Sequence, residues 1–148
     1  MEKLDFEFRY RNSNLPEYAR SRNKFRDDTA NGLTKCVLTF LKIHGKQGER
    51  VAPTGRMVDQ TQKFTDTLGY TRRIGSTKYI KSSMQPGSAD ISAIVNGRAI
   101  KIEVKMPGDR QSEKQKIYQT NVESAGGIYL IVRNFTDFVE WYENFITL

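Results

Sequence analysis

Asp90, Glu103 and Lys105 are the residues of this chain whose types and spacing point most directly to chemistry. They bracket the stretch DISAIVNGRAIKIEVK. Ile91, Ala93 and Val95 alternate with other residues on the way in, and Ile100, Ile102 and Val104 alternate on the way out. Asn96-Gly97 between two such runs predicts a hairpin with a type I′ turn, which needs positive φ at both central residues. A two-residue loop sets Val95 opposite Arg98, Ala93 opposite Ile100 and Ile91 opposite Ile102. One step further, Asp90 faces Glu103. Opposed residues point to the same side of a sheet, so the apolar set shares one face and Asp90, Ser92, Lys101, Glu103 and Lys105 share the other. Two carboxylates across a strand pair repel, unless a divalent cation lies between them. Mg²⁺ is typically held by one or two carboxylates together with waters and phosphate oxygens. Lys105, one pair along, sets an ammonium beside such a cation. These are the parts of metal-assisted phosphodiester hydrolysis. All the ligands are hard oxygens, so Mg²⁺ is the expected cofactor and Mn²⁺ its substitute.

These residues need a sheet and its supports. Asp28 or Thr29 is placed to cap a helix in which Leu33, Cys36, Val37, Phe40, Leu41 and His44 share a face, with Gly45 as its stop. Cys36 reads as a small core residue. Between 46 and 83 the sequence predicts turns around a short extended piece at Arg50–Ala52, a short helix over Gln60–Leu68 with Phe64 and Leu68 inward, and an extended segment from Lys78 to Met84. Ser112 with Gln115 three residues on makes a capping-box pattern for a helix to Ser124, whose apolar side is Ile117, Val122 and Ala125, with Tyr118 nearby. The run IYLIV at 128–132 fits a strand buried on both faces. Thr136 is placed to cap a last helix bearing Phe138, Val139, Trp141, Tyr142 and Phe145. The expected class is α/β (α+β), a mixed central sheet flanked by helices. Residues 1–28 read as an N-terminal extension, with an alternating strand from Leu4 to Arg11 and a helix opening at Leu15-Pro16 with Tyr18, Arg22 and Phe25 on one face. The domain proper is expected over 29–148.

Composition narrows the function classes. The longest apolar runs are only a few residues, so no membrane span or signal peptide is expected. One cysteine excludes an internal disulfide framework, and one cysteine with one histidine argues against a zinc site. A cytoplasmic protein is the simple expectation. The net charge of +7 suits a polyanion such as DNA. The excess is concentrated: residues 46–83 hold eight Lys/Arg against three acids, whereas residues 1–30 hold seven against six. Arg50, Arg56, Arg72 and Arg73 are therefore candidate nucleic-acid contacts, as are Lys78, Lys81 and Lys101. Tyr70 and Tyr79 could stack on bases or simply pack. The alternating N-terminal strand and the aromatic last helix leave room for a homodimer.

Asp90 followed by Glu103-Val104-Lys105 resembles the PD-(D/E)XK nuclease superfamily. Gly87-Ser88-Ala89-Asp90-Ile91, Ser112-Glu113-Lys114-Gln115-Lys116 and Ala125-Gly126-Gly127 resemble its VRR-NUC (virus-type replication-repair nuclease) group, over about Leu33 to Val132. The resemblance implies a restriction-endonuclease-like αβββαβ core and an endonuclease acting on structured or branched DNA in phage or mobile-element replication, repair or recombination. It implies Asp90, Glu103 and the Val104 carbonyl as metal ligands and Lys105 as the group that orients or activates the attacking water. It also puts Gln115 near the active site, where the helix cap is the competing role. One departure stands out. The group usually carries an acid near the start of the first helix, and here Asn31 or Thr34 sits there, with Asp27, Asp28 and Glu17 only nearby in sequence. A nucleic-acid-binding module with the nuclease fold and weakened catalysis is therefore the alternative, and a folded protein-interaction domain a third reading.

Overall fold

The computed structural model describes residues 25–51 and 55–147. The expected strand at Leu4–Arg11, most of the helix after it and Glu17 lie outside the described residues; Phe25 lies in irregular chain. The described residues divide into two units, 25–51 with 86–147 and 55–85.

In the first unit, Thr29 accepts the Gly32 N–H on its hydroxyl at 3.1 Å and so starts α1, Ala30–Ile43. The helix ends at His44 and turns at Gly45, whose φ of 67° favours glycine. A short strand, β1 (Gln47–Arg50), follows directly. Gly48 packs closely on the helix there: a Cβ would stand 2.9 Å from Leu41 Cδ1. The hairpin expected from the sequence is β6 (Ile91–Val95) and β7 (Arg98–Val104), in the expected register, with φ of 49° at Asn96 and 75° at Gly97. A helix, α2 (Glu113–Ser124), then leads to β8 (Ile128–Val132), parallel to β7, and the last helix is α3 (Phe135–Ile146). The sheet order is β1-β6-β7-β8, a mixed sheet of four strands.

Alternation decides the layers. Ile91, Ala93, Val95, Ile100, Ile102 and Val104 are all buried, against Leu33, Val37, Phe40 and Leu41 of α1 and Phe138 and Tyr142 of α3. The Phe40 ring sits edge-on to Phe135, Phe138 and Tyr142 at centroid distances of 5.1–5.8 Å. Burying each such side chain stabilises the fold by about 1.5–3 kcal/mol. Cys36 is fully buried in this layer, and its thiol pKa is pushed up to about 11 by burial, so it is a core residue. The opposite face of the sheet carries α2, where Tyr118 meets Tyr129 edge-on.

Asn134, not Thr136, caps α3, accepting the Asp137 N–H at 2.9 Å. β8 lies at an edge of the described sheet, so only Tyr129 and Val132 of its run are buried. Ile117 faces solvent, and α2 buries no residue fully.

The second unit has no helix. Gln60–Leu68, expected helical, instead contains β3 (Gln62–Thr65), between β2 (Arg56–Asp59) and β4 (Thr71–Ile74), with β5 (Thr77–Ile80) after them. β2 pairs with β5 and β3 with β4, both antiparallel. Phe64 and Leu68 are exposed rather than inward. Their i, i+4 spacing resembles a helix face, but Asp66 closes a turn between them by accepting the Leu68 and Tyr70 N–H groups.

Candidate active site

Asp90 stands one residue ahead of β6, on a loop held from two sides. Gly87 has a φ of 84°, and a Cβ there would lie 2.4 Å from the carbonyl oxygen of Lys114. Only glycine lets this loop pass so close to the first turn of α2. Ser88 and Ala89 are buried behind it. The Asp90 carbonyl accepts the Val51 N–H at 2.8 Å, and its Oδ2 accepts the Val104 N–H at 2.9 Å. The aspartate side chain therefore continues the hairpin ladder where its backbone ends. Oδ1 accepts no hydrogen bond among the described residues.

Glu103 is the buried member of the pair, 2 % exposed. Its Oε1 accepts from Lys105 Nζ at 3.1 Å and from the Gln115 side-chain amide, and its Oε2 accepts from the Tyr129 hydroxyl at 3.3 Å. Burial first, and the Asp90 charge second, hold its carboxyl above the usual carboxylate range. Lys105 and the Tyr129 hydroxyl act the other way. Lys105 is itself 9 % exposed.

Gln115 makes the expected cap and also touches both Glu103 and Lys105. Its Oε1 accepts the Ser112 N–H at 2.9 Å, while Ser112 Oγ accepts the Gln115 N–H, which completes the capping box. The same Oε1 accepts from Lys105 Nζ at 3.1 Å, and Nε2 donates to Glu103. The cap thus fixes an amide that bridges the carboxylate and the ammonium.

Lys101 lies on this face too, with its ammonium donating to Ser92 Oγ at 2.7 Å. Tyr129 was not singled out from the sequence. It pairs with Lys101 in the parallel register, and burial, then the Glu103 charge, raises its hydroxyl pKa far above the usual value. A polar aromatic within an otherwise aliphatic run was the available signal.

The expected nucleic-acid contacts are divided between the two units, with Arg50 and Lys101 in the first. Arg50 pairs with Ile91, which places it on the core face of the sheet, and its guanidinium donates to Asn31 Oδ1 at 2.6 Å. Arg56, Arg72, Arg73, Lys78 and Lys81 all belong to the second unit. Arg72 is tied to Asp66 at 2.9 Å and Arg73 reaches Asp59 at 3.6 Å.

The first turn of α1 holds no acid. Asp27 instead accepts the Phe135 N–H at 3.1 Å, and Asp28 pairs with Arg26. Among the described residues there is no group of three or more His, Cys, Asp or Glu side chains placed to hold a metal. Two opposed carboxylates, one buried, still suit a hard cation of the Mg²⁺ kind, which needs only one or two carboxylates and satisfies the rest with water. No described helix is long and apolar enough to cross a membrane. No protein-family model and no curated protein matches the chain.

Proposed function

We propose that this protein is a Mg²⁺-dependent endonuclease that hydrolyses phosphodiester bonds in structured or branched DNA, on a restriction-endonuclease-like αβββαβ core. The observation that carries the reading is the buried Glu103 carboxylate beside Asp90, with Lys105 Nζ 3.1 Å from it. Burying a carboxylate against a like charge is unfavourable; Lys105 offsets part of this, and a bound cation would offset the rest. The element order α1-β1-β6-β7-α2-β8 supports the fold.

In this mechanism Asp90, Glu103 and the Val104 carbonyl would hold the ion, which when bound lowers the pKa of water and polarises a phosphate oxygen. Lys105 orients the attacking water and offsets the charge that develops on the phosphate. Gln115 keeps Glu103 and Lys105 at a fixed separation, and Tyr129 holds the second oxygen of Glu103.

One observation favours a second reading. The lack of an acid in the first turn of α1, with Asp27 and Asp28 engaged elsewhere, favours a nucleic-acid-binding module with weakened turnover. Single-stranded, duplex, flap, splayed and four-way-junction DNA, each with Mg²⁺, Mn²⁺ or EDTA, separate the two. The nuclease reading expects metal-dependent cutting that Glu103→Ala and Lys105→Ala each abolish with the fold intact. Normal cutting by either variant refutes the site. Salt-sensitive binding without cutting favours the second reading.

A further inference from the structure

Residues 55–85 form a surface that the active site does not explain. The β2–β5 ladder runs from Arg56↔Ile80 to Asp59↔Thr77, and the β3–β4 ladder from Gln62↔Ile74 to Thr65↔Thr71. Both keep one register, and between them the Gln60 N–H donates to the Ser76 carbonyl at 3.3 Å. The two short sheets are one antiparallel ribbon. It is interrupted at Gly75, where φ is 108° and a Cβ would stand 2.5 Å from the Gln60 carbonyl oxygen. At a rise of about 3.3 Å per residue, strands running over 56–65 and 71–80 span roughly 30 Å.

A two-stranded ribbon is marginal without a face to bury, and no side chain described in this one is buried. Its two acids brace it instead. Asp66 accepts the Leu68 and Tyr70 N–H groups and pairs with Arg72 at the tip. Asp59 accepts the Thr61 N–H and reaches Arg73 at the interruption. The segment has six Lys/Arg against those two acids. Lys63 sits directly across from Arg73, a like-charge pair that is unfavourable until an anion joins it. Lys63, Lys78 and Lys81 make no ion pair among the described residues. By alternation, Thr65 and Thr71 share the Lys63 face, and Phe64, Gln62 and Ile74 share the other.

We propose that this ribbon is a duplex-binding arm that lies along the major groove of B-form DNA. A two-stranded ribbon fits a groove about 12 Å wide, and its length approaches one helical turn of about 34 Å. The long basic side chains reach from the ribbon's margins to phosphates along the groove walls, Lys63 from the threonine face and Lys78 from the face of Gln62 and Phe64, and that second face turns towards base edges. A-form duplexes, with a deep and narrow major groove, do not admit it. The inference rests on the DNA-acting reading above but not on its catalytic step.

The test measures anisotropy of a labelled duplex in EDTA against salt, using full-length Glu103→Ala protein with and without Lys63→Ala, Lys78→Ala and Lys81→Ala together. All three lysines are exposed, so an unchanged melting curve is expected and serves as the fold control. The triple variant should lose at least tenfold in affinity, and its log K against log salt slope should shrink by about one per lysine that contacts a phosphate. Unchanged affinity and slope overturn the arm. So does tenfold preference for a single strand or an RNA duplex of equal length. Metal-dependent cutting by the triple variant in the Glu103 background restored, with unchanged binding, refutes the arm alone. Lysine-dependent duplex binding without any cutting by wild type supports the arm and refutes the catalytic reading alone.

Discussion

The Gln115 amide accepts from Lys105 and from the Ser112 backbone while donating to Glu103, so its replacements separate the cap from the site. Gln115→Ala removes both roles. It should lower stability by about 0.5–1.5 kcal/mol through the lost acceptor of the Ser112 N–H and slow cleavage by about 10–100-fold, the usual effect of losing an outer partner of a metal-binding carboxylate. Gln115→Glu keeps an acceptor for Ser112 but sets a like charge against Glu103 in place of a donor, so cleavage should fall although the cap is kept. Equal cleavage by both variants and wild type would leave Gln115 a cap and nothing more. Glu103 gives a second expectation. Its carboxyl is held above the usual range by burial and by Asp90. Its contribution to stability is therefore fullest below the pKa of the unfolded chain and is lost as pH rises through the raised native value. In EDTA, Glu103→Gln should melt above wild type at mildly alkaline pH, and the gap should close as the solution is acidified. A gap that widens in acid would contradict the repulsion. The placement of Asp90, Glu103 and Lys105 along the hairpin was open to sequence reasoning because a two-residue turn fixes every register position beyond it. Tyr129 was not, because it reaches Glu103 only through the pairing of β8 with β7, which no local pattern specifies.

Elements were legible where a local device starts or stops them. Thr29, Ser112 and the Asn96-Gly97 turn each act within a few residues and were readable. The ribbon was not, since strands without a buried face carry no apolar alternation, and Phe64 with Leu68 mimicked a helical pair. The loop that carries Asp90 is the other place where tertiary structure decides. Gly87 both adopts a positive φ and lies against the Lys114 carbonyl, so one methyl group strains the loop and pushes it from α2. Gly87→Ala should destabilise the protein by at least about 1–2 kcal/mol from the backbone alone. It should also depress cleavage beyond what the lost stability explains, because Asp90 and Gln115 are set by the two sides of that contact. Urea unfolding alongside cleavage well below the melting range measures both. Full activity with wild-type stability would mean that the contact positions nothing.

For the whole molecule, the relevant feature is where the ribbon is inserted. It leaves the chain after Val51 and returns at Pro86, and the Val51 N–H bonds the Asp90 carbonyl at 2.8 Å, so the first unit closes across the insertion by itself. Its core is drawn from α1, β6, β7, β8 and α3, and no ribbon residue belongs to it. Replacing residues 55–81 by a short Gly-Ser linker should therefore shift the melting temperature by less than about 5 °C, which corresponds to about 1 kcal/mol in a domain of this size. If the proposed site holds Mn²⁺, the ion should raise the melting temperature of the shortened protein as much as that of the full chain, since binding to the folded state alone stabilises it by mass action and Asp90, Glu103 and Lys105 all remain. Duplex affinity should fall at least tenfold, because six of the chain's cations leave with only two acids. Collapse of the melting transition would show that the ribbon completes the core. Loss of the Mn²⁺ response with the fold intact would show that the insertion, and not only the loop at Gly87, sets Asp90.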